Sequence, residues 1–137
     1  MAIANAGLSH GKPLVDISVE EWDQIFAVNM RGVFLCYKEA AKIMIEQGRG
    51  GRLIAASSTA GYQSLAKAAL YSATKWGVRG LTQAAALEFA PHKITVNSYC
   101  PGTISLNAMR RIIARSPFRF HQNRYGRFWC ANIGEPN

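Results

Sequence analysis

Residues 51–61 read GRLIAASSTAG, a continuous apolar run from Leu53 to Ala56 bounded by Gly51 and Gly61. A short run of this kind, with no polar alternation, suits a strand buried on both faces, as in a parallel sheet. The stretch before it, ISVEEWDQIFAVNMRGVFLCYKEAAKIMIEQGRGG (17–51), opens with Ser18 and carries Glu21 three residues later. That pairing is a capping box, and the stretch closes in a glycine cluster that ends helices. The spacing therefore predicts one long helix over about 19–47. Its apolar stripe is expected to run through Trp22, Phe26, Val33, Cys36, Ala40 and Ile43, with Asn29 inside it. An inward amide must find hydrogen-bond partners or cost about 1–3 kcal/mol, so Asn29 is either a structural bridge or part of a site.

Downstream, an Ala- and Gly-rich segment predicts a second helix over about 66–90, stopped at Pro91. Within it LYSATKWGVRGL (70–81) sets Tyr71 and Lys75 four positions apart, on one helix face where their ends can meet. A nearby positive charge favours a phenolate, so this pair can act as proton donor and acceptor; an exposed helix surface with an incidental polar pair has the same spacing. KITVNSYCPG (93–102) supplies another strand, ending at Pro101 and Gly102, and AIAN (2–5) a strand remnant. The order strand, helix, strand, helix, strand means a parallel sheet with crossover helices on its faces. Such sheets bind ligands outside the carboxyl ends of their strands. Asn5-Ala6-Gly7, Ser57-Ser58 and Pro101-Gly102 stand at those ends. Ser58 alone reads as a cap or turn residue. A strand-end serine, an inward asparagine and a Tyr-Lys pair converging on one crevice read as a site.

A chain of 137 residues has the size of one globular domain. No run approaches the roughly 18 apolar residues of a membrane span. MAIANAGLSH at the start has none of the features of a secretory signal, so a cytoplasmic location is expected. Three cysteines, Cys36, Cys100 and Cys130, are widely spaced without a CxxC pair, arguing for reduced thiols and no zinc site. The net charge of +8 is unevenly spread. Residues 1–105 hold ten Lys and Arg against seven acids, whereas 106–137 hold six Arg against one Glu. Arginines interleaved with Phe118, Phe120, Tyr125, Phe128 and Trp129 could track a phosphate backbone. The segment has no clean period and no nucleic-acid motif, so it reads as an irregular, poorly ordered basic tail and nucleic acid is not an expected partner.

Taken together, Asn5-Ala6-Gly7, VNMRGVF around Asn29, IAASSTAG with Ser58 thirteen residues before Tyr71, Tyr71-x-x-x-Lys75 and NSYCPGTI resemble the short-chain dehydrogenase/reductase family in order and spacing. The resemblance covers residues 1–104 and is greatest to acetoin/diacetyl reductases. It implies a partial Rossmann-like doubly wound parallel sheet, the C-terminal part of an NAD(P)-binding fold over 1–105, followed by the divergent tail 106–137. It implies hydride transfer between NAD or NADP and a small carbonyl or secondary alcohol. Tyr71 would be the general acid/base, and Ser58 would hold the reacting oxygen. Lys75 would favour the Tyr71 phenolate and bind the nicotinamide ribose, while Asn29 would link Lys75 to solvent. Asn5, Ala6, Gly7, Pro101, Gly102 and Ile104 would line the cofactor beside Tyr71 and Lys75. No metal is needed. The two long helices would form a homo-oligomer interface.

The family's TGxxxGxG turn, which brings backbone amides to the pyrophosphate, does not appear, nor does the residue that chooses NAD or NADP. Leu106 stands where the family places Thr or Ser. From the sequence three readings stay open: an oxidoreductase, a catalytically silent fragment acting through its helices, and a basic nucleic-acid binder using the tail.

Overall fold

Three runs of β-forming sequence line up in parallel because each is joined to the next by a helix rather than a tight turn. In the computed structural model, which describes residues 1–102 and the strand Phe128–Trp129, β1 (Ala2–Ala4) pairs with β2 (Gly51–Ala56), and β2 pairs with β3 (Ile94–Cys100). The register sets Ala2 against Leu53 and Leu53 against Val96. A fourth strand, β4 (Phe128–Trp129), joins β3 antiparallel, giving the order β1-β2-β3-β4. This is the partial Rossmann-like α/β parallel sheet expected. Among the described residues, β1 is the outer strand on one side.

The first long helix forms where the capping box predicts. Ser18 Oγ accepts from Glu21 N at 3.2 Å, and Glu21 Oε2 accepts from Ser18 N at 2.8 Å. Lys12 Nζ, 2.9 Å from Glu21 Oε2, ties the incoming loop to this cap. The helix runs as α1 (Val19–Phe26), a π-helical turn (Ala27–Arg31) and α2 (Gly32–Gln47). Gly48 then takes φ 62°, the left-handed conformation that ends helices. The second helix, α3 (Ala69–Phe89), stops at the short turn Ala90–His92, which contains Pro91.

The π turn corrects the expected apolar stripe. The inward residues are Ile25, Asn29, Val33, Tyr37, Ala41 and Met44, whereas Trp22 and Ile43 are exposed at 44% and 55%. A regular α-helix would swing residues spaced by four about 40° per step off a common face, and the wider turn absorbs part of that drift. Of the expected stripe, Val33 is buried and Phe26, Cys36 and Ala40 are half-buried.

α2 and α3 share one core with the sheet: Val33, Tyr37, Ala41 and Met44 meet Leu53, Ala55, Val78, Ala85, Ile94 and Val96. On the other face Ile3 is 52% exposed and Ile54 half-buried. Among the described residues the sheet is therefore covered on one face, and β2 is not the doubly buried strand its apolar run suggests. Burial alternates along β3, which is the signature of one-sided cover. The thiol expectation is also corrected: Cys36 is free, but Cys100 is disulfide-bonded. The tail expected over 106–137 lies outside the described residues except for β4.

Leu53, fully buried at the centre of this core, is expected to cost about 2–5 kcal/mol when changed to Ala. Urea unfolding measures the loss, and an unchanged midpoint would contradict its placement.

Candidate active site

At the carboxyl end of β2 the chain leaves the ladder without losing its hydrogen bonds. Ser57 N donates to Tyr99 O at 2.8 Å, and Thr59 N donates to Pro101 O at 3.1 Å. The ends of β2 and β3 are thereby held side by side, with Ser58 next to Pro101 and Gly102. Ser58 is buried and its Oγ accepts from Ala60 N at 3.2 Å, capping a 3-10 turn over Thr59–Gly61. That turn lies hard against α3. A Cβ on Gly61 would stand 2.7 Å from Ser57 Oγ and 2.8 Å from Lys75 O, so only glycine permits the approach.

Lys75 enters from α3 and its ammonium nitrogen donates to Ala56 O at 2.7 Å. The residue is 4% exposed, and burial pushes its pKa below the ordinary lysine value because the charged form loses solvation. Its Nζ lies 5.4 Å from the centroid of the half-buried Tyr71 ring, one helical turn earlier. The Tyr-Lys pair therefore shares a face as its spacing predicts. Ser57 Oγ, donating to Lys75 O at 3.0 Å, fastens the same point of α3 to the end of β2.

Asn29 lies within the π turn. It is fully buried; its Oδ1 accepts from Leu8 N at 2.7 Å, and its Nδ2 donates to Leu8 O at 2.9 Å and to Thr74 Oγ1 at 3.0 Å. Thr74 in turn donates to Tyr71 O at 2.8 Å. One amide thus joins the segment after β1 to the helix carrying Tyr71 and Lys75. Gly7 lies between, since a Cβ there would stand 3.4 Å from both Asn29 Oδ1 and Lys75 Nζ. Asn5, Ala6 and Gly7 are exposed at the end of β1, and the Tyr99 hydroxyl donates to Asn5 Oδ1 across the strand ends.

Of the residues singled out from sequence, Asn29, Lys75, Tyr71 and Gly7 converge, Ser58, Pro101 and Gly102 follow the ends of β2 and β3, and Asn5 and Ala6 are exposed at the end of β1. Ile104 lies outside the described residues. Sequence reasoning missed Ser57, Thr74, Gly61 and Tyr99. Ser57 and Gly61 were visible only as strand punctuation, and Thr74 sits unremarked inside the Tyr-x-x-x-Lys spacing. Among the described residues there is no cluster of His, Cys, Asp or Glu fit to hold a metal, and no helix long and apolar enough to cross a membrane.

A buried cation beside a phenol thus stands at the carboxyl ends of parallel strands, the edge at which open parallel sheets bind ligands. The short chain dehydrogenase family profile matches residues 1–116, and the chain belongs to that family. A short-chain dehydrogenase/reductase of Armillaria gallica is 50% identical over 102 residues, covering 74% of this chain and 39% of its own. The crystal structure of an acetoin dehydrogenase from Salmonella typhimurium superposes with a TM-score of 0.74 at 41% identity, over 75% of this chain and 41% of that one. A 4-hydroxyisoleucine dehydrogenase complexed with NADH and succinate gives a TM-score of 0.73 at 31% identity, over 74% of this chain and 48% of the other. The chain thus spans roughly two fifths to half of these relatives.

Replacing Asn29 by Leu removes three hydrogen bonds, one buried and two part-buried, and leaves both Leu8 backbone groups without their partner. The expected loss is at least about 2 kcal/mol of unfolding free energy. A variant within about 0.5 kcal/mol of the parent in chemical unfolding would contradict the bridging role.

Proposed function

We propose that this protein is an oxidoreductase that transfers hydride between a nicotinamide dinucleotide, NAD or NADP, and a small carbonyl or secondary alcohol of the acetoin/diacetyl kind. The observation that carries the reading is the buried Lys75 amine held 5.4 Å from the Tyr71 ring at the strand ends, in a chain of this family. Support for the substrate class comes from the likeness to an acetoin dehydrogenase, and for the cofactor from the neighbour complexed with NADH.

In this reading the residues work as follows. Tyr71 gives its hydroxyl proton to the carbonyl oxygen during reduction and takes it back from the alcohol in oxidation. The Ser58 hydroxyl donates a hydrogen bond to the same oxygen, which stabilises the charge developing there. Lys75 favours the phenolate left on Tyr71, since an ammonium nearby lowers the energy of the anion. Asn29 holds Leu8 and Thr74, and through them keeps Gly7 and the Tyr71 turn in register.

The residues present fit a nicotinamide ribose. One of the three Lys75 donors is directed to Ala56 O, and the exposed Gly7 backbone lies against the same nitrogen. Asn5, Ala6, Gly7, Tyr71, Lys75, Pro101, Gly102 and Ile104 are the proposed cofactor contacts. When bound, the nicotinamide supplies or accepts the hydride. Exposed apolar residues on the two long helices, Phe34, Leu35 and Ile43 on α2 and Trp76 and Leu87 on α3, support a homo-oligomer formed through them. The same exposed faces favour a second reading, a catalytically silent interaction module.

Titrating the chain with NADH and NADPH by fluorescence and following diacetyl reduction separates the two. Saturable binding with turnover supports the enzyme; no binding of either cofactor overturns it. Where turnover is present, Tyr71→Phe is expected to lower it on the order of a hundredfold to ten-thousandfold with unchanged helix content, and equal turnover would remove Tyr71 from the proton-transfer role.

A further inference from the structure

Arg79 stands one helical turn beyond Lys75 on α3 and faces the same turn at the end of β2. Its guanidinium carbon lies 3.7 Å from the Tyr62 ring centroid and 5.1 Å from that of Trp76. Nη1 donates to Gly61 O at 2.7 Å, while Nε is buried with no hydrogen-bond partner among the described residues. Burying a guanidinium donor unpaired is costly, and the compensating contacts are two aromatic faces and one backbone carbonyl. Two of those three partners, Gly61 and Tyr62, belong to the short segment that begins at Ser58.

That segment is a small closed unit. Gly61 N donates to Ser58 O at 2.9 Å, Ala60 N donates to Ser58 Oγ at 3.2 Å, and Tyr62 N donates to Thr59 O at 3.0 Å. Moving the Gly61 peptide therefore moves the groups that orient the Ser58 hydroxyl. α3 grips the unit from both ends: Lys75 Nζ takes Ala56 O upstream, and Arg79 Nη1 takes Gly61 O downstream. Only the upstream grip belongs to a residue already placed in the site.

We propose that Arg79 is a positioning residue that sets the Ser58 hydroxyl by clamping the Thr59–Gly61 turn onto α3. The guanidinium suits this task because its planar fork donates to the carbonyl while its faces lie on the rings. A lysine there keeps the charge and a donor but loses the stack. The catalytic consequence rests on the function proposed above; the geometric consequence does not.

The test uses the full chain as Arg79→Met and Arg79→Lys, each with and without Ser58→Ala. Amide hydrogen exchange over 57–63 is expected to rise about tenfold in Arg79→Met, with β3 and α2 unchanged, and to return at least halfway in Arg79→Lys. In diacetyl reduction, Arg79→Met should lower kcat about tenfold or more while leaving the KM for the nicotinamide cofactor unchanged. In the Ser58→Ala background the same change should cost less than about twofold, because the two residues act through one hydroxyl. Unchanged exchange over 57–63, or exchange raised evenly through the chain, overturns the clamp. Equal kcat losses in both backgrounds overturn its action through Ser58. Local exchange that rises as stated in a chain without turnover leaves the clamp standing and removes the enzymatic reading instead.

Discussion

A lysine side chain taken out of water must be given a partner, and in this fold that partner is the last carbonyl of the central strand. Lys75 reaches Ala56 O from α3, and the contact settles where the helix can sit along β2. Much of the local structure follows from it. Gly61 must lack a side chain because its peptide packs on the Lys75 carbonyl, and Ser57, just past the same end of β2, donates to that carbonyl. Gly7 closes the space on the β1 side, with Asn29 behind it. The cation, the phenol above it and the serine turn beside it are thus parts of one packing solution.

That solution links stability to the proposed chemistry. Burial lowers the lysine's hold on its proton, yet the folded chain keeps the group beside Tyr71, where a charge is useful to an anionic phenol. Asn29 shows the same economy. Its amide serves as a beam between the segment after β1 and the Tyr71 helix turn, and it sits in the π turn that interrupts the long helix. Local irregularities of this sort are commonly found where a fold serves a site.

Much of this was legible from residue order. The capping box at Ser18 and Glu21 and the glycine after Gln47 mark the limits of the first long helix because they satisfy or end backbone hydrogen bonding locally. The strand at 51–56 and the Tyr71 and Lys75 spacing were equally plain. The π turn was not, since no residue type demands it, and so the buried face was misassigned towards Trp22 and Ile43 and away from Ile25 and Tyr37. The apolar run at Leu53–Ala56 could not tell one covered face from two, because periodicity is lost in a short continuous run. The contacts of Ser57 and Thr74 escaped notice for another reason: their partners are backbone carbonyls and an amide, which no spacing announces.

The burial of the Lys75 amine is the claim on which the others stand, and NMR titration of its side-chain carbon next to the nitrogen reads it directly. The account predicts that Lys75 loses its proton below the ordinary lysine value of 10.5. Because the unfolded chain then binds more protons than the native one, stability should rise as pH climbs from the folded value towards 10.5. A resonance that titrates at or above the ordinary value would show the amine in water or paired with an acid, and would contradict the arrangement at the strand ends.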